Sequence, residues 1–128
     1  MRRAALVLIV ALGFGLSNIP AHSQSTAHSR PAPRGLWCYV ATTYPRLIQS
    51  ELSFHSNAAG QLVLRMRFSD GSGVLDQAVD FRAGAYWVRE SPSGDHYHVD
   101  PIDGGLHIDD EDGAVGMARP IPPGQHCF

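Results

Sequence analysis

The chain has no lysine: all ten of its basic residues are arginine. Arg2 and Arg3 open the sequence, so from residue 24 onward eight arginines face twelve acidic groups, a net charge of −4 with histidine neutral. A basic footprint for nucleic acid or for an anionic membrane surface cannot be built from that set. Cysteine is equally scarce, and the two present are not spaced Cys-x-x-Cys, which argues against dithiol redox chemistry. No segment carries an apolar stripe at helical spacing. A phosphate loop, which needs the start of a helix, therefore has no place here.

There is one long apolar run, the thirteen residues "AALVLIVALGFGL" (4–16) after the Arg2–Arg3 pair. It is shorter than the roughly 20 residues that span a bilayer. Small residues at Ala21 and Ser23 follow. This order of basic start, short apolar run and small-residue cleavage site reads as a secretory signal peptide over residues 1–23. Once it is removed, no membrane span remains. Residues 24–35, "QSTAHSRPAPRG", have almost no apolar content and read as a disordered tether. A single domain over 36–128 is left. Arginine-only basicity with abundant alanine and glycine suits a GC-rich bacterial genome, which makes the expected location the periplasm or the medium.

Cys38 and Cys127 stand near the two ends of that domain, and in an oxidising compartment an even pair reads as a disulfide. Closing so long a loop stabilises by roughly 4 kcal/mol in the chain-entropy model. That contribution matters for a domain of this size, whose core is thin.

Apolar residues recur with period two. Ile48, Leu52 and Phe54 share one face of "RLIQSELSF", and Leu62, Leu64, Met66 and Phe68 share one face of "LVLRMRF". Aligning them sets Phe54 against Leu62, Leu52 against Leu64, and Ile48 against Phe68. Further on, Val79 with Phe81, Tyr86 with Val88, Tyr97 with Val99, and Leu106 with Ile108 point inward. Val115 and Met117 are expected to complete that face, opposite Ile108 and Leu106. About eight short strands separated by turn residues predict an all-β antiparallel meander. It closes as an up-and-down barrel or folds as a two-sheet sandwich, since either removes exposed edges.

The densest chemistry lies in "DHYHVDPIDGGLHIDD" (95–110), with three histidines and five aspartates. Pairing Val99 with Leu106 puts His98 opposite His107 and His96 opposite Asp109. Pairing Val88 with Tyr97 adds Trp87 beside His98 and Arg89 beside His96. Directly opposed Cβ atoms stand about 5 Å apart. His96, His98, His107 and Asp109 thus form a candidate Zn²⁺ or Cu²⁺ site, and Trp87 with Arg89 a candidate binding face. The bland alternative is the wet side of a hairpin, and no cofactor is required. "DDEDG" (109–113) resembles a calcium loop in composition, yet an EF-hand alignment puts Ile108 first and Arg119 twelfth, where carboxylates belong.

No catalytic constellation appears. Ser72 lies in the turn "DGSG" rather than in a nucleophile elbow, and no serine or free cysteine is placed beside His96 and Asp109. The expectation is a non-catalytic binding domain, its partner a protein or a small ligand at a surface or a barrel mouth. The alternatives are a metal-handling domain and a structural envelope protein. In size, leader and cysteine placement the chain resembles the small periplasmic inhibitor barrels that bind lysozyme or proteases. The likeness is one of layout, and no inhibitory motif carries over. It implies a basic protein partner, which the acidic run from Glu90 to Asp112 suits electrostatically.

Overall fold

A computed structural model describes residues 32–43 and 46–128. The signal-like stretch 1–23 and most of the tether, 24–31, lie outside the described residues. Eight strands follow in order: β1 (Leu36–Thr43), β2 (Arg46–Ser56), β3 (Leu62–Phe68), β4 (Val74–Arg82), β5 (Ala85–Val88), β6 (His96–Val99), β7 (Leu106–Asp110) and β8 (Gly113–Ile121). Each pairs antiparallel with the next, and β8 returns to β1, so the meander closes into a barrel. Of the two expected closures, the barrel is the one observed.

The sandwich alternative had a physical basis. β4 pairs with β3 through 74–78 and with β5 through 79–82. In the same way β8 pairs with β7 through 113–118 and with β1 through 119–121. These two strands change partner midway and join the halves of the barrel.

Alternation places the core as expected, but three registers differ. On β2–β3, Phe54 meets Leu64, Leu52 meets Met66, and Ser50 meets Phe68. The shift is two residues, so every side chain keeps its face. Its cause is a longer turn, five residues (57–61) instead of three: the Asn57 side-chain oxygen accepts from the amides of Ala59 and Gln61, and the Asn57 amide donates to the Gln61 carbonyl. On β5–β6, Tyr86 meets Tyr97 and Trp87 meets His96, again a two-residue shift. There the loop 89–95 is closed by the Val88 amide on the Asp95 carbonyl, while the Asp95 carboxylate accepts from the hydroxyls of Ser91 and Ser93.

The third difference changes faces. Ile108 pairs with Gly116 but Asp109 pairs with Ala114, so Val115 is an extra residue in a β-bulge. Gly116 and Ala118 therefore point inward, while Val115 and Met117 are exposed. The barrel interior explains this choice. Tyr39 lies against Gly116, where a Cβ would stand 2.8 Å from its ring, and Ala118 is wholly buried. Large side chains already fill that space from β1.

One end of the barrel is plugged. Trp37, Phe54, Tyr86 and Phe81 form a chain of ring contacts with centroids 4.7–5.9 Å apart. The Trp37 indole donates to the Gly104 carbonyl at 2.8 Å, tying the plug to the 100–105 turn. Ala32, from the end of the tether-like stretch, packs against this core.

The C-terminal tail folds back over the outside of β1 and β2. Cys38 and Cys127 form the expected disulfide, both residues buried, which suits an oxidising compartment. Beneath the tail the buried Glu51 carboxylate accepts from the Cys127 amide at 2.9 Å, and it pairs with Arg67 and His126.

Candidate functional site

Because the chain runs up and down, its turns divide between two ends. The aromatic plug occupies the end of the 57–61, 83–84 and 100–105 turns. At the other end, with the 69–73, 89–95 and 111–112 turns, the barrel holds an open cavity of about 390 Å³. Its walls are apolar: Ala41, Ile48, Leu52, Met66, Phe68 and Ile108. An eight-stranded barrel is just wide enough to be filled by side chains or to hold one small ligand. Here the aromatic plug fills one end, and the open end, whose wall includes the small Ala41 and Ser50, is left partly empty.

Polar groups enter this cavity at two levels. Ser50, Tyr39 and Tyr97 line its wall, and Asp70 with Ser72 lines its rim. Ser50 is buried at 6% exposure. The Asp70 carboxylate oxygen Oδ1 accepts from both the amide and the hydroxyl of Ser72, at 2.9 and 2.6 Å. Those two bonds, the hydroxyl's foremost, hold the Asp70 carboxyl below its ordinary range. The Tyr97 phenol is pushed up to about 12, first by burial and then by the nearby Asp95 and Tyr39. It is a neutral donor at any physiological pH.

A second hollow, about 420 Å³, opens on the barrel flank where β4 changes partner, and it is lined by Gln61, Asp76, Gln77 and Arg89 among others. It is polar, and two of its charges are already paired: Asp76 with Arg65 at 2.8 Å and Arg89 with Asp80 at 2.6 Å.

The histidine face forms as the β6–β7 register requires, with His98 opposite His107 and His96 opposite Asp109. The rings of His98 and His107 stack at 4.6 Å, nearly parallel. Each turns to its own carboxylate: His98 Nδ1 lies 3.2 Å from Asp109, and His107 Nε2 lies 3.2 Å from Asp100. His96 belongs to a separate stack. Its Nδ1 donates to the Gly94 carbonyl at 2.8 Å, and its ring lies 3.9 Å from that of Trp87. The Arg82 guanidinium stands 4.1 Å from the same indole. Arg89, placed beside His96 by the sequence register, instead reaches back to Asp80 on β4.

The four sequence-derived donors, His96, His98, His107 and Asp109, are thus neighbours on one face without converging on a point. The ligand atoms that do converge among the described residues, all within 4.8 Å of one another, belong to Asp100, Asp103 and His107. Asp100 and Asp103 went unnoticed as donors, yet the signal was present: the register that sets His98 against His107 carries Asp100 one step past Val99. The cavity residues Ser50 and Tyr39 were missed for a different reason. An interior hydroxyl is indistinguishable from a turn or surface residue until the barrel closes around it.

Comparison with known proteins found no family model, no curated protein and no solved structure that matches this chain.

Proposed function

We propose that the protein is a non-catalytic binding module of the periplasm or the extracellular medium, and that it takes up a small, largely apolar ligand at the open end of its barrel. The cavity carries this reading: about 390 Å³, apolar-walled, open at one end and plugged at the other. Volume and lining both fall in the range of small-molecule sites, with few polar groups set among hydrophobic ones. The location rests on the signal-like residues 1–23 together with the disulfide.

Thermal melting of the oxidised 24–128 protein with octanol tests it. A ligand of the folded state alone stabilises by roughly 2.7 kcal/mol at a hundredfold excess over its dissociation constant. Ser50→Leu fills the cavity with an apolar side chain and is expected to abolish the octanol shift. No shift in the parent protein, or an equal shift in Ser50→Leu, contradicts the proposal.

A second reading is favoured by the convergence of Asp100, Asp103 and His107. One imidazole and two carboxylates suit a borderline cation such as Zn²⁺. Zn²⁺ then raises the melting temperature of the parent but not of Asp103→Asn, and an equal shift in both refutes this site.

A further inference from the structure

The polar groups of the cavity also specify the charge of what enters, an inference that rests on the small-ligand reading above. The hydroxyl of Ser50 faces the cavity, in a residue more than nine-tenths buried, and makes no hydrogen bond among the described residues. The phenols of Tyr39 and Tyr97 also make none among them. Among the described residues the one buried side-chain oxygen without a partner is Gln77 Oε1, so these three hydroxyls open onto the cavity and are available to bond a guest that enters it.

All three are neutral, so they do not distinguish a cation from an anion. The rim does. Among the described residues Asp70 is the only ionic residue lining the cavity, and no arginine lines it. Its Oδ1 is committed to Ser72, while Oδ2 makes no hydrogen bond among the described residues. Arg46 on β2 is the cation close enough to act on Asp70 electrostatically. The other turns at this end add Glu90, Asp95, Glu111 and Asp112, whereas Arg89 is held by Asp80. A carboxylate head at this rim meets like charge, and a positive head meets opposite charge. The aromatic faces of Phe68, Tyr39 and Tyr97 add cation–π capacity.

We propose that the mouth selects a small cationic amphiphile, an organic amine whose apolar body lies along Ile48, Met66 and Phe68 while its ammonium group sits at Asp70 and bonds to the free hydroxyls. Fatty acids and other anionic amphiphiles are rejected by the same rim.

Calorimetry with octylamine, octanol and octanoate tests this, because the three share one apolar body and differ in the charge of the head. At low ionic strength octylamine is expected to bind about fivefold tighter than octanol, as an exposed ion pair allows, with octanoate weakest. In Asp70→Asn, which retains the side-chain oxygen that bonds Ser72, the amine's advantage over the alcohol disappears. It also fades with added salt. Equal binding of all three, tighter binding of octanoate, or an amine preference that survives in Asp70→Asn overturns the charge selection while leaving the cavity as a ligand site. Binding of none of the three overturns both.

Discussion

The ring of Tyr39 on β1 occupies the place where residue 116 on β8 would carry a side chain: a Cβ there would stand 2.8 Å from Cε2 and 3.1 Å from the hydroxyl. The bulge at Val115 and the glycine after it together admit the tyrosine into the barrel. Gly116→Ala must push the ring toward the cavity. The expected cost is about 1–3 kcal/mol of stability from overpacking, measured by denaturant unfolding, together with weaker octanol binding by calorimetry. Unchanged stability and unchanged binding would show that Tyr39 is not held by this contact.

Tyr97 makes the alkaline limb of the stability curve. Its folded-state value of about 12 lies above the ordinary phenol value near 10. The unfolded chain therefore loses its proton first, and stability falls as pH rises between those values, by up to roughly 3 kcal/mol. Unfolding free energies across that window check it, and Tyr97→Phe should flatten the decline.

Glu51 makes an acid limb. Burial alone would raise its carboxyl, but the Cys127 amide, Arg67 and His126 outweigh burial and hold it below the ordinary range. A depressed carboxyl stabilises above its unfolded value and loses that contribution as pH falls through the folded one. Glu51→Gln is expected to cost about 1–3 kcal/mol at neutral pH and to shrink the acid-dependent loss. Melting curves across the acid range measure both.

The disulfide fixes the same tail. Replacing Cys38 and Cys127 by serine together opens a loop of 89 residues and should cost about 2–5 kcal/mol. Loss of cooperative melting under reductant, in the parent protein only, is the accompanying signature.

Much of the fold was legible because a period of two is hard to disguise. A strand with Leu62, Leu64, Met66 and Phe68 on one side has one buried face, whatever its partner. Registers were less legible, since the Asn57 turn and the serine-closed loop 89–95 set them through side-chain bonds that periodicity does not report. On β8 hydrophobicity itself misled. In "AVGMAR" the apolar Val115 and Met117 looked inward-facing, but the space was already taken by Tyr39, so Gly116 and Ala118 face in. The His98–His107 pairing was readable from the β6–β7 register. The outward turn of each ring to its own aspartate was not, because side-chain rotation is not encoded in strand spacing. The cavity was invisible for a related reason: it is the volume left over when one end of the barrel carries four aromatic rings and the wall at the other includes residues as small as Ala41 and Ser50.

The most direct test of the barrel mouth is chemical-shift mapping of the isotope-labelled, oxidised protein during titration with octylamine. Occupancy of the cavity predicts changes concentrated at Ile48, Ser50, Met66, Tyr97 and Ile108, saturating together. Changes confined to the outer face around His96, His98 and His107, or no changes at all, would contradict it.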